Sequence, residues 1–163
     1  MFQCCSHHLR LNRKKIVDLV YENRAQIKFH IYGPDFLSQM YPDCYRGYIT
    51  YANCSKVFSN SKINLCIHAT SYNSKGDELY FSERLPQIMG SRGLLYCETE
   101  YKHLLEHDLN YIMADPIDPI GQILEIIKNY ETTKYQQIID NGHKLALKYL
   151  TWDNIRRKLG SLS

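Results

Sequence analysis

The chain has 163 residues, 44% of them hydrophobic and 23% charged, with a formal net charge of +3. That length holds one domain with a real core, and the charged fraction excludes a disordered polymer. No apolar run approaches the ~18 residues of a membrane span, and the dispersed, mildly positive charge argues against nucleic acid as a partner.

Taken in chain order, Phe2-Gln3-Cys4-Cys5 reads as a first strand. Ile16, Leu19 and Val20 then recur at helical spacing from Asn12 to Gln26, with Asn12 as N-cap and Arg13, Lys14 and Lys15 on a solvated face. Ile27 to Tyr32 is rich in β-formers and stops at Gly33-Pro34, which predicts a strand. Asp35 to Met40 reads as a short helical turn, and Thr50 to Phe58 as a helix capped by Thr50. The almost wholly apolar run Ile63 to His68 predicts a central parallel strand, followed by a polar loop from Ser71 to Asp77.

Ser82 to Met89 predicts a helix that Ser82 caps and Gly90 closes, kept short or kinked by Pro86. Leu94 to Cys97 is a further strand, Tyr101 to His107 a helix, and Tyr111 to Met113 an edge strand. Helices are expected over Ile117–Tyr130, Lys134–Tyr149 and Trp152–Leu159, the last capped by Thr151. Strands separated by helices imply βαβ units, hence a Rossmann-like α/β domain: a parallel sheet flanked by helices, ending in a helical layer.

Met1 is not followed by a basic segment and an apolar core, so no signal peptide is read there. The six cysteines show no CxxC spacing, and Cys66 and Cys97 lie inside apolar runs as small buried hydrophobes. Free thiols and a cytoplasmic location are therefore expected. His103-Leu104-Leu105-Glu106-His107 matches the H-x-x-E-H pattern of some zinc enzymes, but five residues with no third ligand read better as surface histidines on a helix. Cys4-Cys5-Ser6-His7-His8 cannot converge on one ion, because neighbours on a strand point to opposite faces. No glycine-rich phosphate loop and no nucleophile elbow is present.

Polar groups gather instead after the central strand, from Ser71 to Asp77 and on to Arg84. Open parallel sheets bind ligands outside the carboxyl ends of their strands. A helix start there presents unpaired N–H groups, and Arg84 adds a fork-shaped cation suited to phosphate. The residues predict an anion or nucleotide site, with a merely capped structural helix as the alternative.

Several segments also carry a family resemblance. They are Ile31-Tyr32-Gly33-Pro34, Tyr45-Arg46-Gly47-Tyr48, Val57 to Leu65, Ser82 to Leu95, Asn141-Gly142-His143 and Thr151-Trp152-Asp153. In order and spacing they resemble the C-terminal, donor-binding half of CgeB-like glycosyltransferases, spore-maturation-type members of the GT-B superfamily. The resemblance implies a domain that holds a nucleoside-diphosphate sugar as substrate, with no cofactor and no metal. It implies Arg84 for the diphosphate and an acid three positions on for the ribose hydroxyls. Gln87 stands at that acid position, and an amide loses the charge-assisted contact to the diol. The resemblance further implies Gly33 for close ligand approach, Lys62, Arg13 and the Ser82 helix start for the phosphates, and His68 for the donor. The catalytic residues are not identified. Residues 1–163 form one such half, without the acceptor-binding half, so transfer to an acceptor hydroxyl needs a partner domain or chain. The alternative is a non-catalytic nucleotide- or sugar-binding or interaction module that keeps the fold.

Overall fold

The structure, a computed structural model, describes residues 2–3, 11–67, 82–98 and 105–151. Every strand pairing among them is parallel. β1 (Phe2–Gln3) pairs with β2 (Ile31–Tyr32), Phe2 opposite Ile31 and Gln3 opposite Tyr32. Residues 44–47 run along the other edge of β2. Ile31 donates to the Cys44 carbonyl at 2.9 Å, Arg46 donates to the Ile31 carbonyl at 3.0 Å and Gly33 donates to the Gly47 carbonyl at 3.1 Å. The second sheet holds β3 (Asn64–Leu65), β4 (Leu95–Cys97) and β5 (Ile112–Met113), in that order, with β5 at the edge.

Parallel neighbours cannot be joined by tight hairpins, so the helices fill the crossovers. α1 (Leu11–Glu22) lies between β1 and β2, α2 (Phe36–Met40) and α3 (Tyr51–Ser59) between β2 and β3, and α4 (Arg84–Gly90) between β3 and β4. α5 (Pro119–Asn129) and α6 (Thr133–Tyr149) follow β5. Within each sheet the strands follow one another in chain order, β1 then β2 and β3 then β4 then β5, each step a parallel crossover.

Period-two alternation along the strands divides the interior between two faces. Leu65 and Ile67, Leu94 and Tyr96, and Ile112 meet Val17 and Val20 of α1 and Ile123 and Ile126 of α5. The residues in between, Cys66, Leu95, Cys97 and Tyr111, meet Cys54 and Phe58 of α3 and Leu85, Ile88 and Met89 of α4. Each such aliphatic side chain contributes roughly 1.5–3 kcal/mol by leaving water, so helices on both faces are what a two-sided apolar sheet requires. Asn64, fully buried, points its amide at the Phe58 carbonyl at 3.1 Å and ties the end of α3 to β3.

Most of the elements expected over the described residues are present, with instructive shifts. The predicted strand over Ile27–Tyr32 contracts to Ile31–Tyr32. Composition favours extension, but a ladder needs a partner in register, and the Ile27 N–H donates to the Asn23 carbonyl at 3.0 Å in the turn that ends α1. Asn12 lies within α1 and not at its cap. Arg13 is buried, 5% exposed, and not on a solvated face.

Gly90 does not close α4. It is the last helical residue, and Arg92 takes the left-handed position at φ +57°. Its N–H donates to Met89 at 3.1 Å and that of Gly93 to Ile88 at 2.9 Å, which caps the carbonyl end. Residues 105–107 are not helical; His107 forms a parallel bridge with Tyr111 and accepts the Met113 N–H on Nδ1 at 3.0 Å. That removes the helical face on which the H-x-x-E-H reading depends. α5 starts at Pro119, where Asp118 accepts the Gly121 N–H at 2.8 Å. His68, the loop over 71–77, residues 101–104 and the helix over 152–159 lie outside the described residues.

Candidate functional site

α4 owes its position to Leu85, Ile88 and Met89, which recur at helical spacing and bury against the β3–β4 face. Arg84 and Gln87, three residues apart, fall together on its other side, half-buried. Pro86 sits in the first turn, where its missing N–H is one that has no helical partner anyway. Before the helix, Ser82 accepts twice: the Arg84 N–H on its hydroxyl at 3.4 Å and the Leu85 N–H on its carbonyl at 3.0 Å.

Arg13 reaches the same end of the sheet from α1. Its Nε donates to the Ile67 carbonyl at 2.9 Å, just past the carboxyl end of β3. Arg13, Ser82 and Arg84 therefore all lie near the carboxyl end of β3, the end of a parallel sheet outside which open α/β folds bind ligands. Gly33 lies at the carboxyl end of β2 with φ +153°, a backbone conformation that side-chain-bearing residues rarely adopt. Its carbonyl lies 3.0 Å from the Tyr45 hydroxyl, which donates to Asp35 at 2.8 Å. That carboxylate pushes the Tyr45 phenol above its usual range.

Lys62 lies elsewhere. It precedes β3 at the amino ends of the strands, donates to the Ile127 carbonyl at 3.2 Å and sits 5.6 Å over the Tyr130 ring. It lines a cavity of about 420 Å³ there, together with Ile27, Phe29, Ile63, Ile123 and others, at the opposite end from Arg84. The structure thus separates Lys62 from the group formed by Arg13, Ser82 and Arg84.

Gln87 meets a residue that the sequence reading missed. Its amide donates to the Tyr51 hydroxyl at 2.6 Å, joining the first residue of α3 to α4. One signal was available: Thr50 as a cap implies that α3 starts just after residues 44–47, on the same side as the start of α4. Tyr51 and Tyr48 are among the most exposed aromatic residues, at 71% and 76%. Among the described residues, no three histidine, cysteine, aspartate or glutamate side chains gather as a metal site, and no helix is long and apolar enough to cross a membrane.

Solved structures share this fold. Anabaena Alr3699/HepE in complex with UDP and glucose matches 99% of this chain over 47% of its own, at 13% identity and a TM-score of 0.64. The pneumococcal O-GlcNAc transferase GtfA in complex with UDP and GlcNAc matches 98% of this chain over 34% of its own, at 17% identity and a TM-score of 0.61. The GtfA/B complex matches 99% over 35%, at 14% identity and a TM-score of 0.61. Identity this low shows shared fold alone: a parallel sheet flanked by helices, as in one half-domain of a GT-B glycosyltransferase. The chain spans less than half the length of each of these proteins. No curated protein is similar enough to count as a match. The model of the glycosyl transferase-like family matches residues 13–160, nearly the whole chain, and the chain belongs to that family.

Proposed function

We propose that this domain is the donor-binding half of a glycosyltransferase of the CgeB-like branch, holding a nucleoside-diphosphate sugar at the carboxyl ends of its strands. The observation that carries the proposal is the family match over residues 13–160, which includes the end of β3 near which Arg13, Ser82 and Arg84 lie. HepE and GtfA, which share the fold, are seen with UDP and a sugar, which supports a uridine diphosphate donor. In transfer, an acceptor hydroxyl attacks the anomeric carbon and the diphosphate departs with the bonding electrons. Arg84 and Arg13 supply positive charge where negative charge grows, which lowers the barrier without a metal. Gln87 faces the ribose and Gly33 gives the ligand close approach, while His68, outside the described residues, is assigned to the donor on the family resemblance alone. The acceptor contacts and the base come from a second half, in the same polypeptide or a partner; among the proteins that share the fold, one was solved as a GtfA/B complex. The four free thiols among the described residues, Cys44, Cys54, Cys66 and Cys97, suit a cytoplasmic location.

The bond between Gln87 and Tyr51 supports a second reading, a binding module without catalysis. An amide already engaged at the position of the ribose acid holds the diol less tightly. Thermal denaturation with UDP, GDP and their sugars tests both. A ligand at ~100 times its Kd stabilises the fold by about 2.7 kcal/mol. UDP is expected to raise the Tm, and Arg84→Ala is expected to remove that rise while the ligand-free Tm holds. A full rise in the Arg84→Ala protein refutes the assignment of Arg84, and no rise with any nucleotide refutes donor binding.

A further inference from the structure

One chemical feature lies under the site and takes no part in donor binding as proposed. Asn64 lies opposite Leu95 and Leu65 opposite Tyr96, and the ladder continues, since the Cys66 N–H donates to the Tyr96 carbonyl at 2.8 Å. The next register pair is Cys66 and Cys97. Paired residues on neighbouring strands point to the same face, and both thiols enter the core beneath α4. Parallel neighbours stand roughly 4.8 Å apart, inside the ~4.4–6.8 Å Cα separation that a disulfide bridges. Cys97, Arg84 and Ser82 are the groups near Cys66 that favour its charged form.

We propose that Cys66 and Cys97 form a redox-active dithiol that closes to a disulfide on exposure to a hydroperoxide. Cys66 is the attacking thiol. Its sulfur displaces the distal oxygen of hydrogen peroxide, which leaves as water after taking up a proton, and Cys66 becomes a sulfenic acid. The Cys97 sulfur then attacks the Cys66 sulfur, expels the sulfenic oxygen as a second water and gives up its proton. Two thiols and one peroxide yield one disulfide and two waters. The groups around Cys66 fit this order. The Cys97 thiol first, then Arg84 and Ser82, hold the Cys66 thiol below its ordinary range against the opposing effect of burial.

Closure consumes the Cys66 thiol beside Ser82, whose hydroxyl receives the Arg84 N–H. A weaker grip on diphosphate in the oxidised form follows, a consequence that rests on the proposed donor site; the dithiol itself does not. Trypsin separates the two cysteines, Cys66 on the peptide Ile63–Lys75 and Cys97 on Gly93–Lys102, each with no other cysteine. After hydrogen peroxide treatment, alkylation and digestion of the whole chain, mass spectrometry is expected to find these peptides joined, and separated again by dithiothreitol. In Cys97→Ala the sulfenic acid has no resolving thiol and is expected to be trapped by dimedone on Ile63–Lys75. Recovery of both peptides as separate alkylated species, under peroxide that oxidises other cysteines of the chain, overturns the proposal, as does pairing of either with a different cysteine. The joined peptides are expected whether or not UDP binds, so failure of the donor reading leaves a distinct signature.

Discussion

Gly142 stands in the middle of α6, and in a helix interior alanine is favoured over glycine by roughly 0.8–1.0 kcal/mol. Intrinsic propensity therefore predicts that Gly142→Ala stabilises. The packing predicts the reverse. A Cβ there would lie 2.8 Å from the Asn110 carbonyl oxygen, against an ordinary contact of at least 3.4 Å, with Met89 of α4 at 3.5 Å. The obstacle is backbone and cannot rotate away. Asn110 is itself fixed, because its N–H donates to the Glu106 carbonyl at 3.0 Å and its side chain accepts the Glu106 N–H at 2.8 Å. α6 must retreat by about 0.6 Å from the turn and from α4. Overpacking of this kind costs ~1–3 kcal/mol, so the net effect is a loss of about 1 kcal/mol. For a chain of this size, that lowers the Tm by about 2–4 °C. Gly90→Ala provides the matched control: it is also helical, its Cβ meets nothing within 4 Å, and it is expected to raise the Tm by about 2 °C. Thermal unfolding of both variants decides the matter. If Gly142→Ala stabilises as much as Gly90→Ala, the close approach of α6 to the Asn110 turn is refuted.

Gln87→Glu replaces a neutral partner by a charged one at the proposed ribose position. Charged hydrogen bonds contribute ~1.5–3 kcal/mol against ~0.5–1.5 for neutral ones, so UDP should bind about fivefold more tightly. Calorimetric titration checks this, and an equal gain for 2′-deoxy-UDP would place Gln87 away from the diol. Asp115 gives a pH dependence: its carboxylate accepts the Asp118 N–H at 3.0 Å and the Ile117 N–H at 2.8 Å, which hold it below its ordinary value of 3.8. A depressed carboxylate pKa contributes stability that is complete above the unfolded value and is lost as pH falls through the folded one. Acid titration of the Tm should therefore show a decline below about pH 4 that is shallower in Asp115→Asn, and parallel curves would remove Asp115 from the α5 entry turn.

Much of the architecture is written locally. Leu85, Ile88 and Met89 at helical spacing require α4 to bury one side, and the same spacing leaves Arg84 and Gln87 together on the other. The almost wholly apolar run Ile63–Ile67, interrupted only by Asn64, announces a strand covered on both faces. What local pattern cannot carry is the partner across space. Arg13 looks like one more charge on a solvated helix until the end of β3 offers it the Ile67 carbonyl. Lys62 enters the strand that leads to the site, yet strand direction places it at the far end, over Tyr130. Tyr51 is one exposed aromatic among fourteen tyrosines until α4 brings Gln87 to it.

The same division explains the cysteines. From order and periodicity alone, Cys66 and Cys97 are two small apolar residues, each correctly consigned to the interior. Their adjacency is a matter of register, set by hydrogen bonds between strands 31 positions apart, and a shift of one residue would turn them to opposite faces. Periodicity needs only the chain itself, so the sequence determined most of the helices, most of the buried sets and the class, a parallel sheet flanked by helices. Register and side-chain meetings need the whole fold, so only the tertiary structure decided which residues stand together where β3 ends.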